Sequence, residues 1–169
     1  MVEQAKAGCR LGLTRVEKFY ITTAIDYVNG APHIGHALEK IQADVLARHY
    51  RAKRVDVFFL AGTDEHGTKI MRSAQAAGKE PRAFVDANSA AFQNMSSLLN
   101  LSWDDFIRTS DEKRHYPGAQ KLWCNIAESG ALYKRAYRGL YCVGHEAFVT
   151  EKELVDGLCP DHRTKPEIF

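Results

Sequence analysis

Two apolar runs constrain this chain more than anything else in it. KFYITTAI (18–25) and VDVFFLAGT (55–63) are rich in β-branched and aromatic residues and short enough to be buried strands. Each is followed by a break and then by apolar residues at helical spacing. After the first come NGAP and the series Leu38, Ile41, Val45 and Leu46, which predicts a helix from His36 to about residue 53. After the second, a helix over about 65–77 with Gly78 as its stop is expected. Pro81 suits the first turn of the next helix, striped by Phe84, Val85, Ala91, Phe92, Met95, Leu98 and Leu99. DFIRTS (105–110) reads as a third strand. Thr109 and Glu112 have capping-box spacing ahead of a helix that carries Ala119, Leu122, Trp123 and Ile126 and ends near Gly130. Strands alternating with helices predict an α/β fold with a parallel sheet.

From about Leu132 the texture changes. LYKRAYRGLYCVGHEAFV alternates tyrosines with basic residues around Gly139, as a small hairpin would. The expected organisation is an N-terminal tail (1–17), an α/β unit (18–131) and the start of a second unit (132–169).

Apolar residues make up 45% of the chain, enough for a core, and the net charge of +2 neither demands nor excludes a nucleic-acid partner. No apolar run approaches the ~20 residues of a membrane helix, so no membrane partner is expected. The first residues mix Glu3 and Glu17 with basic ones and lack an apolar signal region. A frayed tail is the expectation, with Arg10 and Arg15 leaving an organellar presequence as the alternative. A cytoplasmic location follows from the missing export signal. There reduced thiols or metal ligation, not disulfides, is the default for the four cysteines.

The chemistry concentrates after the first strand, in YVNGAPHIGHALEK (27–40). In open parallel sheets, ligands bind outside the carboxyl ends of the strands. A helix starting there aims its free N–H groups and positive dipole end at the crevice, which suits a polyphosphate. Gly35 lets a flat ring such as adenine lie against the backbone, and Pro32 stiffens the approach to His33. Imidazoles at His33 and His36 can donate to charge that develops during in-line attack at phosphorus. The plainer alternative is two surface histidines flanking a helix start. AGTDEHGTK (61–69) ends the second strand beside this loop; Asp64 could receive a substrate ammonium, or Thr63 or Asp64 could simply cap the next helix. The chain has no G-x-G-x-x-G after either strand and no G-x-x-x-x-G-K-[ST], which disfavours dinucleotide oxidoreductases and P-loop ATPases.

Cys142 and His145, then Cys159 and His162, form two Cys-x-x-His pairs with 13 residues between them. Two thiolates and two imidazoles at such spacing suit tetrahedral zinc. Such a metal is expected to be structural and remote from the chemistry. A free buried Cys142 with a surface His145 is the alternative.

The blocks ITTAIDYVNGAPHIGH, FFLAGTDEHGTKI and DDFIRTSDEKRH resemble the class I aminoacyl-tRNA synthetases, and methionyl-tRNA synthetases in particular, from about Lys18 to the end. The resemblance implies the first half of a Rossmann-like parallel sheet with a HIGH-type loop, followed by the start of an inserted connective domain with a zinc knuckle. It implies ATP, with magnesium, methionine, and initiator and elongator methionine tRNA as substrates and partners. His33 and His36 would stabilise the ATP phosphates, with Gly35 and Glu39 bordering the adenosine. Asp64 and the backbone of Ile25 would meet the methionine amino group, and Tyr27 would pack on the thioether. Two departures stand out. Asp26 occupies a position that is usually apolar, aromatic or proline, and would either alter the amino-acid pocket or point to solvent. His145 stands where the first knuckle pair usually has its second cysteine.

The resemblance also implies a second sheet half, a lysine-rich KMSKS loop and an anticodon-binding domain beyond KPEIF. The 169 residues alone are therefore expected to be inactive, with Phe19 to Ile25 as an unpaired apolar edge. The competing expectations are a small-substrate nucleotidyltransferase, which would need neither GTDEHG nor a knuckle, and a non-catalytic tRNA-binding or interaction module.

Overall fold

The computed structural model describes residues 17–169. The expected N-terminal tail, Cys9 included, lies outside the described residues except for Glu17. A parallel sheet is built on a long central strand, β3 (Asp56–Asp64). Leu60 pairs with Thr22 of β1 (Lys18–Thr22) and with Asp105 of β4 (Asp105–Arg108). Thr63 pairs with Asp26 of β2 (Asp26–Tyr27) and with Arg108. So β1 and β2 run along one side of β3 and β4 along the other. Helix α1 (Ile34–Ala52) crosses from β2 to β3, and α2 (Thr68–Ala76) and α3 (Pro81–Leu99) cross from β3 to β4. This is the expected α/β fold.

The first apolar run is not one strand. Lys18 pairs with Asp56, but Asp26 pairs with Thr63, so the register slips by one residue in between. The slip has a local cause. Ala24 N–H donates to Glu39 Oε1 at 3.0 Å and Ala24 C=O accepts from Lys40 Nζ at 3.2 Å, so side chains of α1 take backbone groups that the sheet would otherwise use. Among the described residues β1 pairs with β3 alone, which agrees with the expected free edge; Tyr20 on it is 62% exposed.

Two apolar clusters hold the layers together. Ala43 and Ala47 of α1 pack on Phe59, with Ile21, Val57 and Trp103 around them. Val28, Ile70, Val85, Phe92, Met95 and Leu101 join α2 and α3 to the carboxyl end of the sheet. Burying Phe59 and Phe92 contributes about 1.5–3 kcal/mol each. The predicted α3 stripe is buried at Val85, Phe92 and Met95 but not at Leu98, which is 74% exposed at the last turn. Helix α4 (Tyr116–Glu128) buries no residue, and its stripe of Leu122, Trp123 and Ile126 faces outward. The expected capping role of Thr109 does not occur. Its hydroxyl accepts Glu65 N–H at 2.8 Å, and α4 begins only at Tyr116.

A second, antiparallel sheet follows. β5 (Leu140–Cys142) pairs with β6 (Ala147–Val149) and with β7 (Glu167–Ile168). The hairpin therefore turns at 143–146, not around Gly139, because Gly139 is tied by two backbone hydrogen bonds to Phe169. No helix among the described residues is long and apolar enough to cross a membrane.

Candidate active site at the carboxyl edge of the sheet

Helix α1 starts at Ile34, two residues earlier than its apolar spacing predicts, because an imidazole does the capping. His33 Nδ1 accepts Gly35 N–H at 3.1 Å, and His36 Nδ1 accepts His33 N–H at 3.1 Å, a reciprocal capping box made from two histidines. The rings stack with centroids 3.7 Å apart, and His36 sets its edge against Phe92. Since each Nδ1 lone pair is taken by a backbone N–H, the ring proton sits on Nε2, and both rings carry an Nε2–H donor. Burial lowers the His36 pKa below its ordinary value, partly opposed by the Asp26 charge. A Cβ on Gly35 would come within 3.0 Å of the His33 ring, so glycine here makes room for the cap itself.

Asp26 does not point to solvent. It is buried, and its Oδ1 accepts from Lys40 Nζ at 2.8 Å, with the two side chains 4% and 1% exposed. The other Lys40 donors go to Ala24 C=O and to Glu39 Oε2 at 2.9 Å. Burial pushes the Asp26 carboxyl above its ordinary range despite the ammonium beside it. The unusual carboxylate is thus matched by a buried lysine beneath the first loop. Glu39, expected at the adenosine, spends its carboxylate on Ala24 N–H and Lys40, and Ile25 stands 44% exposed in the gap between β1 and β2.

Asp64 closes β3 as the register partner of Tyr27, and its C=O accepts Val28 N–H at 3.3 Å just ahead of His33. Both loops therefore meet at one sheet edge. Neither Thr63 nor Asp64 caps α2. The Asp64 carboxylate accepts His66 N–H at 3.3 Å, Thr63 Oγ1 donates to Glu65 at 2.7 Å, and α2 opens three residues later than expected, at Thr68 after Gly67. The delay comes from Glu65. Its side chain is fully buried and gathers Arg108 at 2.7 Å, Thr63 and Ser110. Burial alone would raise its pKa, but these donors hold it below the usual carboxylate range. Gly67 bridges the kink at φ 125°, and a Cβ there would fall 2.4 Å from the Tyr27 hydroxyl. That hydroxyl donates to Glu146 Oε1 at 2.9 Å, and burial with Glu146 pushes the phenol pKa up.

The two Cys-x-x-His pairs converge. One ligand atom from each of Cys142, His145, Cys159 and His162 lies within 4.8 Å of all the others, with both sulfurs buried. His162 Nδ1 is 3.5 Å from Cys159 Sγ and 3.9 Å from Cys142 Sγ; His145 Nδ1 is 3.7 Å from Cys159 Sγ. His145 Nε2 pairs with Asp161 at 3.0 Å, which turns its Nδ1 lone pair inward. The donor set and its geometry fit a tetrahedral zinc ion. Glu146, next to His145 in sequence, is the residue bonded to Tyr27 of β2.

Sequence reasoning singled out both histidine pairs but missed Lys40, Glu65, Arg108 and Glu146. Lys40 was findable, because it shares the helical face of Ala43 and Ala47 and so had to be buried.

Fold and first loop together define the class, a Rossmann-like α/β domain of the kind that opens on a HIGH loop. A family model described as "tRNA synthetases class I (M)" matches residues 19–167, and the chain belongs to that family. Methionine–tRNA ligase of Brucella suis biovar 1 is 51% identical over 137 residues, covering 81% of this chain and 26% of that protein. The solved structure of Mycobacterium tuberculosis methionyl-tRNA synthetase in complex with methionyl-adenylate superimposes with a TM-score of 0.84 at 44% identity, over 90% of this chain and 31% of that one. A leucyl enzyme, the Agrobacterium radiobacter K84 LeuRS, matches at 21% identity with a TM-score of 0.70, over 94% of this chain and 21% of that one, and shows the fold alone. The chain thus spans about a quarter of the length of the curated relatives it matches.

Proposed function

We propose that the protein carrying this chain is a methionine–tRNA ligase. The methionine carboxylate attacks the α-phosphorus of ATP, the bond to the β-phosphate oxygen breaks, and methionyl-adenylate and pyrophosphate result. The methionyl group then passes to the terminal adenosine of initiator or elongator methionine tRNA, and AMP leaves. One observation carries this: two stacked imidazoles at the start of α1, each with its Nδ1 tied to the backbone, stand as a fixed pair of Nε2–H donors at the carboxyl edge. Donors fixed before the reaction stabilise the charge that spreads over the phosphate oxygens during attack, with little reorganisation. Gly35 and Glu39 would border the adenosine of ATP, which arrives with magnesium. Asp64 and the Ile25 carbonyl would receive the methionine ammonium, and Tyr27 would lie against the thioether.

Residues 18–131 would then form the first half of the catalytic domain, and 132–169 the start of the connective domain. Zinc would be held by Cys142, His145, Cys159 and His162, where it supplies no chemistry to the reaction but ties two turns together. The cytoplasm is the inferred place of action. The test is methionine-dependent ATP–pyrophosphate exchange by the natural gene product that contains these residues. Exchange that follows a different small substrate would favour a nucleotidyltransferase, and none at all an interaction module. The 169 residues alone are expected to give no measurable exchange.

A further inference from the structure

Helix α2 has no cap of its own. Its N-cap, Gly67, offers no side chain, yet the free N–H of Lys69 in the first turn finds an acceptor, Glu146 Oε1 at 3.2 Å. The same oxygen accepts the Tyr27 hydroxyl at 2.9 Å. Glu146 arrives from the turn between β5 and β6, directly after His145, and holds φ at 52°, a left-handed conformation that glutamate seldom adopts. A backbone outlier that aims one carboxylate at another unit's hydroxyl and helix start is a built contact. Gly67 leaves the space for it, since a Cβ there would sit 3.0 Å from Glu146 Oε1 as well as against Tyr27.

We propose that Glu146 is a positioning residue for the amino-acid side of the site, setting the Tyr27 ring and the start of α2 from the second sheet. It rests on the assignment of Tyr27 to the methionine pocket. The carboxylate touches no substrate. It fixes the ring plane against which the thioether would lie and, through α2, the GTDEHG loop that carries Asp64.

The experiment compares wild type, Glu146→Ala, Glu146→Gln, Tyr27→Phe and the double variant Glu146→Ala/Tyr27→Phe in the natural gene product. Loss of a hydrogen bond to a charged group corresponds to about tenfold or more in affinity, so Glu146→Ala should raise the methionine KM about tenfold and leave the ATP KM within about twofold. Glu146→Gln keeps the acceptor oxygen and should restore the methionine KM to within about threefold of wild type. The double variant should lose less than the sum of its parts. Amide hydrogen exchange at Lys69 should quicken in Glu146→Ala and not in Tyr27→Phe. A methionine KM unchanged in Glu146→Ala, or one that rises in step with the ATP KM, overturns the positioning role while leaving the proposed ligase standing. Absence of methionine-dependent exchange in wild type overturns both.

Discussion

The protein holds two pairs of histidines and presents them in opposite ways. At His33 and His36 the backbone of α1 occupies Nδ1, so each ring keeps its proton on Nε2. At His145 and His162 the Nδ1 atoms face two sulfurs, and Asp161 fixes the His145 proton on the far nitrogen. The first pair can only give hydrogen bonds to an anion; the second offers lone pairs to a cation. Which nitrogen the fold ties up decides the chemistry, and the residue type alone does not.

The largest effect expected of any test of this contrast is at the second pair. Removing a bound metal with a chelator should abolish amide protection across β5 and β6, because structural zinc contributes on the order of 10 kcal/mol or more to folding such a unit. A zinc content of one per chain that falls in Cys159→Ser would sharpen the contrast; unchanged protection after complete chelation would break it. Next comes the ground beneath the first pair. Lys40→Met strands the buried Asp26 charge and should cost about 3–5 kcal/mol in denaturant melts, whereas Asp26→Leu with Lys40→Met should come back to near neutral.

His33→Asn tests the direction of the donor itself. Asparagine keeps an acceptor for the Gly35 N–H but loses the Nε2–H, so kcat for exchange should fall about 100-fold while the melting temperature stays close to wild type. Equal losses of stability and rate would mean that the ring acts only as a cap. The smallest effect is in pH. The His36 pKa is lowered below 6.5 in the fold, chiefly by burial and with His33 and Lys40 nearby, against the opposing charges of Asp26 and Glu39. The folded state therefore binds fewer protons than the unfolded one in the window just below 6.5. Stability from this group is present above that value and is lost as pH falls through the folded pKa. His36→Asn should flatten that part of the stability curve.

The sheet, all four helices and both histidine pairs are legible from periodicity and breakers, since strands of a parallel sheet are continuous apolar runs. Three of the errors trace to side-chain contacts at the carboxyl edge. Lys40 and Glu39 split the first strand at Ala24, Glu65 delays α2, and the hydroxyl of Thr109 serves Glu65 instead of a helix. The contacts of Ala24 with Glu39 and Lys40, and of Glu65 with Arg108 and Thr109, join residues at least fifteen positions apart, beyond the window in which spacing carries information. The exposed stripe of α4 was legible as a stripe, but what it packs against is not given by its own periodicity.

Gly67 has a consequence for how mutational scans of this protein should be read. Any side chain there must enter the space of the Tyr27 hydroxyl and adopt a backbone angle that favours glycine, whereas a Cβ at Gly30 or Gly118 would meet nothing within 4 Å. A saturation library would therefore score Gly67 as intolerant as a residue that handles substrate, although its only part is to leave room. Intolerance at this position measures crowding around Tyr27, and Gly30 and Gly118 supply the baseline that distinguishes the two.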